Sequence, residues 1–280
     1  MSVTTPRFTL VAAVNNRKTL EANLLASPAL ADRHDVQLLF KEGFASAAKA
    51  YNSGLDDAEN DIVVFLHQDI YLPKHWFDHV ALAIETLDSS GAKWGVLGSF
   101  GSRRGAAGGL GRMYATGLGF HGVPITAPEP VETLDEVVLI LRKSSGLRFD
   151  EELPHFHMYG PAICLQARHR GFTNYAIPAF CVHNTSQLIV LPKEFFDGYR
   201  FIKKKWRQYL PIYTSCMTIS RFDKERLKRH AQLTLARLRG RLPKPLLRID
   251  DPATIAAYDE FAVHAAPPSR GSSGKTRSSP

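Results

Sequence analysis

Two short runs of polar residues carry the groups best suited to chemistry. His67, Gln68 and Asp69 end an apolar run and precede Ile-Tyr-Leu-Pro, and Cys-Val-His-Asn at 181–184 ends a second run with His183. A carboxylate and an imidazole, each released just past a buried strand, suit a divalent ion that keeps open positions for phosphate oxygens. Such an ion does Lewis-acid work, neutralising a departing nucleoside diphosphate. Taken alone, Asp69 and His183 read more readily as an ordinary buried pair.

The elements around them have to form a sheet. Residues 62–66 are an unbroken apolar run with β-branched members, too short for a helix and apolar on both faces, as in a buried parallel strand. Pro73 predicts the start of a helix over 73–87. Before it come a strand over 8–14 ending at Asn15 and Asn16, a helix over 18–26, a strand over 36–40 and a helix over 44–58; a strand over 94–97 follows. This alternation predicts a mostly parallel sheet with right-handed crossovers, whose ligands bind beyond the carboxyl ends of the strands. Asp69 stands at such an end.

Residues 99–122 hold eight glycines with Arg103, Arg104 and Arg112. The spacing is not that of a phosphate-binding or dinucleotide loop, which leaves a lid over a phosphorylated substrate or a flexible surface loop. Beyond it, 134–142 reads as a strand with Asp135 and Glu136 at its start, 161–170 as a helix, and 175–182 as a strand delivering His183 and Asn184. Residues 192–210 read as an amphipathic helix with Phe195, Tyr199, Ile202, Trp206 and Tyr209 on one stripe.

Composition bounds the class. The chain of 280 residues is 44% hydrophobic, enough for a sizeable core, and is expected to be soluble. Its apolar runs fall well short of the roughly 20 residues that span a bilayer. The first residues lack the pattern of a secretory signal, and Cys164, Cys181 and Cys216 have no metal-type spacing, so a cytoplasmic place is expected. Of the formal charge of +8, residues 200–248 contribute fifteen Lys and Arg against Asp223 and Glu225. This basic third suits an anionic lipid surface, a phosphorylated substrate or nucleic acid, or is a solvated helix face. Within it, 221–242 is basic with leucines at helical spacing, the pattern of a helix lying on a membrane. No nucleic-acid motif accompanies the charge, so polynucleotide binding is not expected. Residues 267–280, rich in Ser, Gly, Pro, Lys and Arg, are expected to be disordered.

Several motifs in order carry a resemblance. Ala-Tyr-Asn-Ser-Gly-Leu at 50–55, about ten residues before Ile-Val-Val-Phe-Leu-His-Gln-Asp-Ile-Tyr-Leu-Pro, is similar to the donor-binding half of the family-two glycosyltransferases. It resembles a bacterial branch in which His-Gln-Asp replaces Asp-x-Asp. The likeness continues through Leu-Arg-Phe-Asp-Glu-Glu-Leu-Pro-His-Phe-His-Met-Tyr-Gly at 147–160 and Cys-Val-His-Asn, covering about residues 8–210. It implies an α/β, GT-A-type nucleotide-sugar-binding fold: a single mostly parallel mixed sheet flanked by helices over 1–210. A basic, mainly helical extension over 211–266 and the tail over 267–280 would follow.

The implied activity is transfer of a sugar from a nucleoside diphosphate to a hydroxyl of a glycan or lipid-linked saccharide, with inversion and with Mn²⁺ or Mg²⁺. The resemblance implies that Asp69 binds the ion at the diphosphate and His183 adds a ligand. His67 replaces the first acid and contacts ribose or phosphate, with Gln68 beside it on the donor. Asn15 and Asn52 would line the nucleoside pocket, and Glu42 stands near the acid that follows the second strand in relatives. Ala162 occupies the place of the expected catalytic aspartate. His157, Glu151, Glu152, Asp135 or Glu136 then supplies the base, or the protein binds donor and acceptor as an accessory subunit without efficient turnover. The basic segment 200–248 would hold the chain against an anionic membrane at the inner face of the cell.

Overall fold

A computed structural model describes residues 6–31, 33–106, 108–186, 191–239 and 247–257; the tail expected at 267–280 lies outside them. The first half keeps the expected alternation: β1 (Phe8–Val14), α1 (Arg17–Ala22), β2 (Gln37–Glu42), α2 (Ala47–Asp57), β3 (Ile62–His67), β4 (Ile70–Tyr71), α3 (Trp76–Ser89) and β5 (Trp94–Gly98). Side chains stop the helices from starting earlier. Asn16 caps α1 by accepting the Thr19 amide at 3.1 Å, and Ser46 caps α2 through the Lys49 amide. Pro73 does not begin α3. Its carbonyl accepts the Trp76 amide in a preceding turn, and the helix starts with its buried stripe, Trp76, Phe77, Val80, Ala83, Ile84 and Leu87.

In the second half come β6 (Phe100–Ser102), β7 (Leu110–Gly111), β8 (Met113–Ala115), β9 (Gly119–His121), β10 (Glu129–Val131), β11 (Thr133–Leu134), β12 (Val138–Arg142) and α4 (Tyr159–His169). They are followed by β13 (Thr173–Ala176), β14 (Cys181–His183), α5 (Lys193–Lys205), β15 (Ile212–Tyr213), β16 (Thr218–Ile219) and α6 (Lys224–Leu238). The main sheet has the order β10-β13-β5-β12-β3-β1-β2, with only β10 and β12 opposed to the other strands. This is the mostly parallel mixed α/β sheet that the sequence predicts. Three smaller sheets accompany it among the described residues, β4-β14-β8-β9, β11-β6-β7 and the hairpin β15-β16.

Two local expectations change. The run 134–142 is not one strand, because Leu134 pairs with Gly101 in a small sheet while β12 joins the main one. Between them Asp135 turns the chain, its Oδ1 accepting the Val137 amide at 3.2 Å. The run 175–182 is likewise divided. Pro178, lacking an amide proton, falls between β13 in the main sheet and β14 in a small one. The glycine-rich stretch contributes the short strands β6 to β9. Gly111 and Gly122 have φ of +87° and +91°, and a Cβ there would overlap the carbonyls of Ser99 and Gly111. Glycine lets those backbones meet.

Alternate residues of each strand feed opposite faces of the main sheet. Val11, Val63, Phe65, Leu139 and Leu141 pack with α2, α4 and α5, whereas Leu10, Val64, Leu66, Val138 and Ile140 pack with α1 and α3. The chain beyond residue 210 joins this core. Ile212, Met217 and Ile219 are buried in it, and Ile249, Ile255 and Ala256 pack on Tyr71, Phe180 and Val182. Helix α6 contributes no buried residue.

Candidate active site

The carboxyl ends of β3 and β14 bring three ligand atoms together. His183 Nε2 is 3.3 Å from Asp69 Oδ1, His67 Nδ1 is 3.4 Å from His183 Nε2, and His67 Nδ1 is 3.9 Å from Asp69 Oδ1. The backbone fixes this meeting: β14 pairs with β4, and the Asn184 amide donates to the Asp69 carbonyl at 2.9 Å. Burial alone would raise the Asp69 pKa, but the charge and hydrogen bond of His183, with His67 and Arg248, hold it down at about 2. For His183, burial is outweighed by Asp69, and its pKa rises. Burial and the neighbouring His183 push His67 down to about 4, so that it is neutral at neutral pH.

Tyr159 decides which nitrogen of His67 faces the cluster. Its hydroxyl lies 3.0 Å from the Glu136 carbonyl oxygen and 2.6 Å from His67 Nε2. A carbonyl can only accept, so assigning the single phenolic proton to it makes His67 Nε2 the donor to the tyrosine oxygen. The Nδ1 lone pair is then free and directed at His183 and Asp69. The donor set fits a divalent ion: two imidazole nitrogens and a carboxylate oxygen lie within 4.8 Å of one another. Cis ligands of an octahedral ion stand about 3 Å apart at bond lengths of about 2.1 Å, so little movement is required. Two imidazoles favour Mn²⁺ over Mg²⁺, which prefers oxygen ligands.

A cleft of about 790 Å³ opens beside the cluster, at the carboxyl ends of β1, β2 and β3. Asn15, Glu42, His67, Gln68, Asp69 and His157 all line it. Gln68 is a clamp between strands: its Oε1 accepts the amides of Asn15 and Asn16 at 3.1 and 3.0 Å, and its Nε2 donates to Asn15 Oδ1. Glu42 is exposed at the last position of β2, not after the strand, because β2 runs two residues beyond the expected end. Asn52 is not in the lining. It is buried, exchanging 2.9 Å hydrogen bonds with both backbone groups of Phe149 and donating to Glu151 Oε1. Its amide therefore organises the 149–151 segment.

The five base candidates separate in the same way. Glu151 is tied to Asn52, and Glu152, highly exposed, pairs with Lys205 at 3.2 Å; of the five candidates His157 lines the cleft, and Glu151, Glu152, Asp135 and Glu136 do not. Burial lowers the pKa of His157 at the cleft wall. Asp135 and Glu136 lie beside the cluster, since the His67 amide donates to the Val137 carbonyl. The Glu136 carboxyl lies at the start of α4, where the backbone of Met158, Tyr159 and Gly160 favours its charged form, yet burial and the neighbouring Asp135 charge raise its pKa well above the ordinary range. Gly160 makes room for it, because a Cβ there would lie 3.0 Å from Glu136 Cγ. Ala162 is buried in the first turn of that helix. A carboxyl group thus does occupy the start of α4, reaching it from the 135–137 turn.

Sequence reasoning missed Tyr159, the aromatic wall of Phe44 and Phe156, and Arg248. Phe156 is 42% exposed, between His155 and Met158, whose φ values of 64° and 68° are left-handed. Those backbone angles have no sequence signal in non-glycine residues. Arg248, read only as part of a basic segment, donates through Nε to the Asn184 carbonyl at 3.1 Å and adds its charge to the field at Asp69 and His183.

Comparison with known proteins adds a lineage. The profile of the "Glycosyltransferase like family" matches residues 9–190. Over 157 residues the chain is 29% identical to the Fuscovulum blasticum protein named "ATP synthase subunits region ORF 6", covering 53% of this chain and 61% of that one. It therefore spans about three fifths of that curated relative. Among solved structures, residues 1–349 of S. aureus TarS align at 16% identity and a TM-score of 0.41, over 71% of this chain and 65% of the other. The mannosyltransferase PcManGT from Pyrobaculum calidifontis, in complex with GDP-Man and Mn²⁺, aligns at 16% identity and a TM-score of 0.44, over 95% and 78%. Both structural likenesses are remote.

Proposed function

The chain belongs to the glycosyltransferase-like family, and from that premise we propose that it transfers a hexosyl unit from a nucleoside diphosphate to a hydroxyl of a glycan or lipid-linked saccharide. The observation that carries this reading is the convergence of His67, Asp69 and His183 beside the cleft at the carboxyl ends of parallel strands. These three residues would hold Mn²⁺, or less favourably Mg²⁺, and the bound ion would supply Lewis-acid stabilisation of the leaving diphosphate. Arg248 adds positive charge to the field at Asp69 and His183. Phe44 and Phe156 offer faces for the base or the sugar, and Glu42 and Asn15 offer polar edges.

Proton transfer falls to the Asp135–Glu136 pair. A carboxyl group whose pKa is raised toward the working pH is a stronger base when ionised and still releases its proton afterwards. Acting opposite the leaving diphosphate, it would activate the acceptor hydroxyl for direct displacement, with inversion at the sugar carbon. The alternative of an accessory subunit rests on Ala162 alone, and the carboxyl of Glu136 at the start of α4 favours an enzyme. A cytoplasmic place at the inner membrane face, reached through the basic segment 200–248, belongs to the same reading. No helix among the described residues is long and apolar enough to cross a membrane.

The test is release of nucleoside diphosphate and transfer of radiolabelled sugar from a donor panel to bacterial lipid and glycan extracts. The reading requires turnover by the native chain and its loss, with donor binding intact, in Glu136→Gln. Donor binding with no turnover under any acceptor would favour the accessory reading.

A further inference from the structure

The basic third of the chain is two surfaces, and the structure separates them by how the charges are spent. On α5 most cations are matched locally, Arg200 with Asp197, Lys203 with Asp223 at 2.6 Å, and Lys205 with Asp150 at 2.6 Å, while Lys204 has no acidic partner among the described residues. On α6 only Arg226 meets an acid, Asp223 at 3.4 Å, while Arg229 donates to the Cys216 carbonyl. Lys224, Lys228, Arg237 and Arg239 have no acidic partner among the described residues. The acid within the helix, Glu225, accepts the Thr218 amide and is turned toward the hairpin of β15 and β16.

The apolar residues of α6 point the wrong way for a helix that completes a core. Its half-buried positions are Arg226, Leu233 and Ala236, which face the body. At 100° per residue, Leu227, Ala231, Leu235 and Leu238 form the outward stripe. Leu227, Leu235 and Leu238 are 56%, 46% and 81% exposed, and Phe222 just before the helix is 72% exposed. Lys224 falls within the stripe, and Lys228 and Arg239 border one side of it. An outward apolar stripe with free cations within it and along one edge has the composition of a helix lying in a membrane interface.

We infer that the outer face of α6 docks in the plane of an anionic lipid bilayer, with its leucine stripe among the acyl chains and its free cations at the phosphates. A second copy of this chain is a poor occupant, because pairing two α6 faces would bring together two sets of unmatched cations. The chain's own end is no better, since residues 261–280 carry Arg270, Lys275 and Arg277 and no acid. This deepens the membrane side of the reading above and narrows it from 200–248 to α6. It is independent of what the cleft does: vesicle binding and nucleotide binding are read separately.

The experiment is flotation of the full chain with vesicles of phosphatidylcholine alone or mixed with phosphatidylglycerol. Native protein is expected to float only with the anionic vesicles and to be released by salt. Two variants test the two features, Leu227→Ser/Leu235→Ser/Leu238→Ser for the stripe and Lys224→Glu/Lys228→Glu for the charge. Each is expected to lower partitioning about tenfold or more, with nucleoside diphosphate binding and melting unchanged. Equal binding to neutral vesicles, absence of binding, or native-like binding by either variant overturns the inference. So does a concentration-dependent dimer, in light scattering, that the leucine variant abolishes.

Discussion

Replacing Asn52 by alanine separates a residue that touches the donor from one that holds the site's framework. Asn52 Oδ1 accepts the Phe149 amide at 2.9 Å and Asn52 Nδ2 donates to the Phe149 carbonyl at 2.9 Å, both within the core. Alanine leaves these two buried backbone groups without partners, at about 1–3 kcal/mol each. The third bond, to Glu151, reaches an exposed carboxylate and adds less than about 1 kcal/mol. The expected loss is about 4 kcal/mol, or about 10 °C in Tm for a domain of this size. Urea unfolding of native and variant chains measures it, and calorimetric titration with nucleoside diphosphates below the melting range measures affinity. Stability should fall while affinity stays within about threefold, since Asn52 does not line the cleft. A loss below about 1 kcal/mol together with a tenfold or greater drop in affinity, on the order of 1.4 kcal/mol of binding, would refute the reasoning and return Asn52 to the nucleoside pocket.

Tyr159→Phe removes the hydroxyl that fixes the His67 tautomer and should weaken Mn²⁺ binding by about 10–100-fold, measured calorimetrically on the folded variant; unchanged affinity would disprove the tautomer argument. Glu136→Gln should abolish transfer and also stabilise the fold at neutral pH. The Glu136 pKa is raised in the folded state, so its stabilising contribution is full below the unfolded value of about 4.3 and is lost as pH rises through the folded value. Melting curves of native and variant protein should therefore diverge upward from about pH 4, and parallel curves would show that the carboxyl is not perturbed. The same direction predicts that native transfer activity falls on acidification through a pKa above the ordinary glutamate range, read from the pH profile of kcat/KM. In Gly160→Ala the new Cβ would lie 2.8 Å from the Leu134 carbonyl oxygen and 3.0 Å from Glu136 Cγ. It should cost about 1–3 kcal/mol by overpacking and reduce kcat more than donor affinity.

Much of the framework was legible because period-two and period-3.6 patterns report burial directly. Residues 62–66 are buried on both faces as their composition requires, and the stripe of Phe195, Tyr199 and Ile202 does face the core. Asp69 follows β3 as expected, whereas His183 is the last residue of β14 in a smaller sheet, and distance then put His67 with them. What the pattern could not carry was the change of sheet at 135–137 and at Pro178, where a continuous apolar run serves two partners. That hidden break is what turns Asp135 and Glu136 toward the cluster. The hydrogen bonds of Asn52 were not legible for a related reason. A polar residue next to a motif looks like a ligand contact in sequence, and only the backbone groups of Phe149, 97 residues away, reveal its hydrogen bonds. Arg248 belongs to a segment whose docking on Asn184 depends on one side chain, with both ends of Asn184 bound to the Ile249 backbone. Composition registered its charge but not its place.

The most direct measurement is calorimetric titration of the native chain with a panel of nucleoside diphosphates, with and without Mn²⁺, and of Asp69→Ala in parallel. The account predicts that one nucleotide binds only when Mn²⁺ is present and that Asp69→Ala, still folded by circular dichroism, loses this binding. Binding that ignores both Mn²⁺ and Asp69→Ala, or no binding by any nucleoside diphosphate, would contradict the claim that His67, Asp69 and His183 form the donor centre.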